Sequence, residues 1–239
     1  MEKIAVVLAG GRGSRMKSDI PKQYLLIHDK PVLYYSLKLF QESEIDKIIL
    51  VAGHDDIAMC SRDIVEKYQF DKVVKVVEGG AQRYDSVYHA LKAIKELQIG
   101  SDDGKDSYVF IHDGARPCVN QEIIHRCYLA AEQFGACTAA VPVKDTIKVV
   151  DKEGFAVDTP DRNTLWQVQT PQTFRYDIIQ RAYEKMFLDK EKGVITDDAM
   201  LVERYTDVKV KMAMGSYNNI KITTPEDMGA AARILETMM

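Results

Sequence analysis

The 239-residue chain is 46% hydrophobic and 28% charged, with a net charge of -4 at neutral pH and a pI near 5.8. That balance suits a globular α/β protein long enough to bury both faces of a sheet, and it disfavours wholesale disorder. It also argues against broad nucleic-acid binding, which relies on a basic face to release counterions, so no nucleic-acid partner is expected.

From the N-terminus, KIAVVLA (Lys3 to Ala9) is too short and too lightly charged for a signal peptide or a membrane span, and reads as a strand. No membrane partner is expected, and the cytoplasm is the default compartment. Cys60, Cys118, Cys127 and Cys137 form no C-x-x-C pair and read as reduced packing thiols. Further short apolar runs follow at KIILVA (Lys47 to Ala52), KVVKVV (Lys72 to Val77), YVFIH (Tyr108 to His112) and ACTAAV (Ala136 to Val141). Strands covered on both faces look like this. Amphipathic helical patterns lie between them, at PVLYYSLKLFQES, DDIAMCSRDIVEKY and SVYHALKAIKEL. The alternation predicts one α/β domain over 1–239 with a doubly wound, mostly parallel sheet and right-handed crossovers.

After Pro142 the rhythm changes. Asp145 to Gln172 reads as two extended segments around the turn DKEG, with no helix pattern to cover them. It is expected to project as a β-arm, residues 145–172, that packs against a second subunit as a homodimer; the plainer alternative is a hairpin folded onto its own domain. Helix returns at YDIIQRAYEKMF, a strand at DVKVKMAM, and a last helix begins near Pro225.

Chemistry concentrates at the junctions. In AGGRGSRMKSDIPKQYL, Met16 stands where a G-x-G-x-x-G dinucleotide turn needs its third glycine, and no P-loop can be drawn. The loop offers backbone N–H groups from Gly10, Gly11 and Gly13, and it sets Arg12, Arg15, Lys17 and Lys22 against Asp19 alone. Glycine lets the chain approach an anion and the cations neutralise it, which makes a polyphosphate clamp. IHDGARPCV supplies Asp113 as a metal candidate, Gly114 for close approach, and Arg116 for an anion. His112 has no nucleophile to pair with and reads as structural. EGGAQRYDSV adds Arg83 and Ser86 near a helix start, and later segments add Arg162, Thr170, Thr196 and Lys221. Each of these also has a capping or surface reading.

In order along the chain, LAGGRGSRM, PKQYL, GGAQRYDSV, HDGARP, PVKDTIK, RNTLWQVQTPQTF, ITDDAMLVE and NIKITTPEDM resemble the cytidylyltransferases that act on methylerythritol phosphate in isoprenoid precursor synthesis. The resemblance implies a Rossmann-like nucleotidyltransferase fold and transfer of CMP from CTP, with magnesium as the metal. Residue by residue, it implies that Ala9, Gly10, Gly11, Gly13, Ser14 and Arg15, with Lys22, bind and polarise the CTP phosphates. Gly80, Arg83, Ser86 and Gly114 would face the nucleotide, and Asp113 would serve its magnesium complex. Arg116, Thr170, Thr196 and Lys221 would hold the polyol phosphate, joined by Thr146 and Arg162 from the arm of a neighbouring subunit. Arg15, Lys22 and Lys221 carry the catalytic role in this reading. Ala81 departs from relatives that have an acidic residue there. Ribitol phosphate cytidylyltransferases share PKQ, TPQ and NIKITTP, while RYDSV, Gly114–Ala115 and RNTLW look more like the methylerythritol group. A nicotinamide-dependent oxidoreductase and a non-catalytic nucleotide sensor are the readings from other classes.

Overall fold

A seven-stranded sheet runs through the molecule, and the computed structural model describes residues 1–11, 13, 16, 18–99 and 106–238. The chain opens with β1 (Glu2–Ala9), a small ribbon of β2 (Leu26–Ile27) and β3 (Lys30–Pro31), α1 (Val32–Glu42) and β4 (Lys47–Ala52). A short 3₁₀ turn, α2 (Ile57–Met59) and a π-type stretch at Cys60–Glu66 lead to β5 (Val73–Glu78), α3 (Arg83–Glu96) and β6 (Ser107–Asp113). The single helix expected over DDIAMCSRDIVEKY is therefore three short pieces. Next come α4 (Gln121–Phe134), β7 (Ala136–Pro142), β8 (Val149–Val150) and β9 (Ala156–Asp158). The chain closes with β10 (Trp166–Arg175), α5 (Tyr176–Leu188), α6 (Asp198–Tyr205), β11 (Lys211–Met214) and α7 (Pro225–Met238).

The strand order is β11-β7-β10-β6-β1-β4-β5, and only β10 runs against its neighbours. The mostly parallel, doubly wound reading holds. Its physical basis is visible in β1, whose side chains alternate between two buried faces. Ala5 and Val7 join Leu33, Leu37 and Phe40 of α1 and Ile123 of α4, whereas Ile4 and Val6 join Val87, Leu91 and Ile94 of α3 and Ile179 of α5. With both faces dry, no position needs a polar residue, which gives the continuous apolar run. Cutting the fully buried Phe40 back to alanine would cost about 3–5 kcal/mol.

The stretch 145–172 divides differently from its reading as one arm. β8 and β9 form the expected hairpin around Asp151–Gly154, where Gly154 has φ +91° and Asp151 Oδ1 accepts from the Glu153 and Phe155 amides. From Trp166 onward, however, the chain is a strand of the central sheet between β6 and β7. Polar residues at alternate positions hid its burial. Opposite β7, Gln169, Thr170 and Pro171 stand against Ala139 alone, a bulge that ends regular pairing beside the cleft. Among the described residues no helix is long and apolar enough to cross a membrane.

Candidate functional site

The chain runs β1, β4, β5 outward in one direction and then crosses back to β6 on the other side of β1. Such a reversal leaves a crevice beyond the carboxyl ends of the strands. Here a cleft of about 470 Å³ lies against Ala9, Gly10 and Gly11 after β1, Gly80 to Arg83 after β5, and Asp113 at the end of β6. A second hollow of about 360 Å³ adjoins it, lined by Arg116, Thr170 and Thr196. Arg83, Asp113 and Lys221 line both, so they form a shared wall.

That wall is ionic. Asp113 Oδ2 meets Lys221 Nζ at 2.8 Å and Arg116 Nε at 3.5 Å, and Asp113 Oδ1 lies 3.7 Å from Arg83 Nε. Burial opposes the charge on Asp113, but Lys221, Arg83 and Arg116 outweigh it and hold its carboxyl well below the usual carboxylate range. Arg83 also pairs with Asp198 at 2.7 Å. With Lys22, which lines the cleft, four cations stand against Asp113, Asp197 and Asp198, and the remaining positive charge suits an anionic ligand.

The backbone holds these groups from several segments. Lys22 Nζ donates to the Ile222 carbonyl at 2.7 Å, the Ile222 amide donates to Ala115 O at 2.9 Å, and the Gly114 amide donates to Leu8 O at 2.9 Å. The buried Gln23 amide donates to Ala9 O at 2.6 Å. Gly13 sits at φ +65°, and a Cβ there would come within 3.1 Å of Lys22 Cδ, so glycine lets the lysine lie across the loop. Met16 is not a site residue at all: it is buried with Ile27, Val32 and Cys118. Arg12, Ser14, Arg15 and Lys17 lie outside the described residues.

The Gly80 turn is pre-formed. Its amide donates to Ser86 Oγ at 3.0 Å, Ser86 Oγ donates to Gln82 O at 3.3 Å, and the Gln82 amide donates to Asp85 Oδ2 at 2.9 Å. Ser86 thus lines the cleft with a hydroxyl already engaged in shaping it. Gly114 lines neither hollow; a Cβ there would approach Leu8 O at 3.0 Å, and it is Ala115 that reaches the cleft.

Beneath the wall, His112 is buried and neutral. Its Nε2 faces the Arg116 carbonyl at 3.2 Å, which can only accept, so Nε2 carries the proton. Nδ1 therefore accepts from Thr170 Oγ1 at 2.9 Å, and Thr170 Oγ1 accepts from the Asp113 amide at 3.1 Å. Burial pushes the imidazole down to about 4. The Thr170–Pro171 bond is cis, and buried Asn219 donates to Thr170 O at 2.8 Å. Thr170 is thus both a wall of the second hollow and a brace for Asp113.

Thr146 and Arg162 line neither hollow; both are exposed, and Arg162 Nη1 donates to the Lys144 carbonyl at 2.9 Å. Gln23, Gln172, Asn219 and Asp198 are buried residues that the motifs did not single out. Asp198 was visible only as half of an acidic pair at a helix start, where capping is the ordinary explanation; Gln23 left no signal beyond its place in PKQYL. Among the described residues no three His, Cys, Asp or Glu side chains are grouped to hold a metal, and Asp113 is the one carboxylate on the larger cleft.

The sequence model of the family described as IspD, 2-C-methyl-D-erythritol 4-phosphate cytidylyltransferase, matches residues 3–237. A 2-C-methyl-D-erythritol 4-phosphate cytidylyltransferase of Lachnospira eligens is 51% identical over 233 residues, covering 97% of this chain and 98% of the relative. One from Lachnoclostridium phytofermentans is 45% identical over 236 residues, covering 98% and 97%. Among solved structures, the 4-diphosphocytidyl-2C-methyl-D-erythritol synthase of Anaerococcus prevotii superimposes with a TM-score of 0.81 at 32% identity, covering 98% of this chain and 96% of that one.

Proposed function

The chain belongs to the 2-C-methyl-D-erythritol 4-phosphate cytidylyltransferase family, and from that premise we propose how its two hollows divide the reaction. The enzyme transfers CMP from CTP to 2-C-methyl-D-erythritol 4-phosphate, giving 4-diphosphocytidyl-2-C-methyl-D-erythritol and pyrophosphate. In this reading the larger cleft takes CTP and the second hollow takes the acceptor's phosphate. The observation that carries it is the common wall of Arg83, Asp113 and Lys221, which faces both sides at once.

The acceptor phosphate attacks the α-phosphorus in line and pyrophosphate leaves. A phosphate monoester has a second pKa of about 6, so its oxygen is already anionic and needs no general base. His112, buried and neutral, is consistent with that economy. Two anions must instead be brought together against their repulsion, and charge must be stabilised on phosphorus and on the leaving group. Lys22 serves the triphosphate and Lys221 the junction of the two phosphates; Arg15 joins them from the opening loop. Arg116, Thr170 and Thr196 hold the acceptor.

Magnesium fits as an ion carried mainly by the nucleotide's phosphates. Asp113 Oδ1, 3.7 Å from Arg83 Nε, is the carboxylate oxygen that would serve it. When bound, the ion would neutralise triphosphate charge. The hairpin of β8 and β9 exposes Val150, Phe155 and Val157, an apolar tip that supports pairing with a second subunit, to whose site Thr146 and Arg162 would then belong. Four buried free thiols fit a reducing, cytoplasmic compartment.

The test is pyrophosphate release from CTP, ATP, GTP and UTP with methylerythritol phosphate or ribitol phosphate as acceptor, with and without magnesium. Release should require CTP and methylerythritol phosphate; equal turnover with ribitol phosphate would overturn the acceptor assignment. Lys22→Ala should lower turnover by ~10²-fold or more, as loss of one preorganised charge contact does. Mixed dimers of Lys22→Ala and Arg162→Ala chains should regain activity, and no recovery would return Arg162 to its own subunit's chemistry.

A further inference from the structure

Asp198 is completely buried, yet it lies next to the cleft and no step of the reaction described above uses it. It is the first residue of α6, and its two carboxylate oxygens have different partners. Oδ1 accepts from the Tyr183 hydroxyl at 2.5 Å, and Oδ2 lies 2.7 Å from Arg83 Nη1. Its own amide, and that of Ala199, donate to Gln172 Oε1 at 3.0 and 3.1 Å, while Gln172 Nε2 donates to Asp197 at 2.8 Å. Burial, with Asp198 alongside, pushes the Tyr183 hydroxyl well up, so Tyr183 keeps its proton and is the donor.

We propose that Asp198 is a positioning residue that acts through Arg83, fixing the guanidinium as the wall between the two phosphate subsites. Arginine has a long, rotamer-rich side chain, and one acid in front of it would leave its plane undetermined. Two acids hold it by charge from two sides: Nη1 lies 2.7 Å from Asp198 Oδ2, an ion pair whose angle is not that of a hydrogen bond, and Nε faces Asp113 Oδ1 at 3.7 Å. Among the described residues Arg83 is the only cation paired with Asp198, so the buried charge and the guanidinium hold each other in place. Tyr183 holds the carboxylate itself, and Gln172 holds the backbone that carries it. The ring of Tyr183 is itself fixed in the core formed by α3 and α5.

The inference rests on Arg83 serving the reaction, and the experiment separates the two. Steady-state kcat and KM for CTP and for the acceptor are measured in Asp198→Asn, Arg83→Ala and the double variant. Asp198→Asn keeps the size and most hydrogen bonds but loosens the guanidinium. Displacement of about 1 Å can cost on the order of 10²-fold, so kcat should fall by that order with KM for CTP little changed. In the Arg83→Ala background the same substitution should cost nothing further. Tyr183→Phe, which leaves both charges in place, should cost about 10-fold in the parent chain, as loss of a hydrogen bond to a charged group does, and nothing without Arg83. Full turnover in Arg83→Ala would remove the premise. Full turnover in Asp198→Asn and Tyr183→Phe with a defective Arg83→Ala would remove only the positioning role. An equal further loss in the Arg83→Ala background would make Asp198 a structural staple that acts on the fold instead.

Discussion

Replacing His112 by glutamine should flatten the acid side of the protein's stability curve. The imidazole has no exposed surface and its pKa is pushed down from the usual 6.5 to about 4, chiefly by burial. The sign follows from proton uptake. Below 6.5 the unfolded chain binds a proton that the folded chain refuses, so stability is complete above 6.5 and is lost as the pH falls toward 4. The whole difference corresponds to about 3 kcal/mol, of which about 2 kcal/mol should disappear between pH 7.5 and 5.0. For a chain of this length that is a fall of roughly 4–8 °C in thermal midpoint. Asp113 acts in a separate window: its carboxyl is held below 3.8, so its contribution is lost only at more acid pH. Exposed His54, raised by Glu78, acts in the opposite sense, since its contribution is present at low pH and lost as the pH rises through its folded value. Glutamine can donate to Arg116 O and accept from Thr170 without titrating. Urea unfolding at intervals from pH 5.0 to 7.5, on both chains, isolates His112 because every other group is shared. If the two chains lose stability in parallel over that range, the neutral buried imidazole is the wrong description.

Gly80→Ala places a methyl against Asp85 Cβ, the side chain whose carboxylate caps Gln82. It should cost about 1–3 kcal/mol of stability as overpacking does, and raise KM for CTP; chemical denaturation and kinetics on one preparation check both. At the hairpin tip, Phe155→Asp with Val157→Asp should convert a dimer to a monomer, because both side chains are more than half exposed in the single chain, at 66% and 62%. Sedimentation velocity at micromolar concentration decides it, and a parent chain that is already monomeric removes the arm's assigned role.

The strands were legible wherever both faces are dry. Val6 and Val7, or Leu50 and Val51, are adjacent in sequence and buried on opposite sides, so apolar continuity carried the information. The strand β10 was not legible in that way. Gln167, Gln169, Thr170 and Gln172 break the apolar pattern, and the last three are buried against partners on other segments: Gln169 donates to Ser216 O, the Thr170 carbonyl accepts from Asn219, and Gln172 donates to Asp197. For the candidate site, Gly10, Gly11 and Lys22 of the glycine-rich loop line one cleft, and Asp113 falls at a strand end as expected. That Lys221 comes back from more than a hundred residues away to meet it is a tertiary fact with no local signature. The same holds for Asp198, whose partners come from α3 and α5. Buried charge is specified by what surrounds it, and those surroundings are scattered along the chain.

The reversed direction of β10 has a mechanical consequence. Parallel strands deliver the chain to the ligand edge at their far ends, and an antiparallel strand must start there. The segment between Pro142 and Trp166 therefore leaves from, and returns to, the rim of the cleft, clasped at its base where the Val143 amide donates to Leu165 O at 3.0 Å. Tyr217 adds a second clasp through its hydroxyl to Pro142 O at 2.8 Å. The hairpin is then a lever whose fulcrum sits beside Val168, Gln169 and Thr170, all of which line the second hollow. Load applied to its tip, by a neighbouring copy or by a pulling handle in a single-molecule experiment, arrives first at the wall of that hollow.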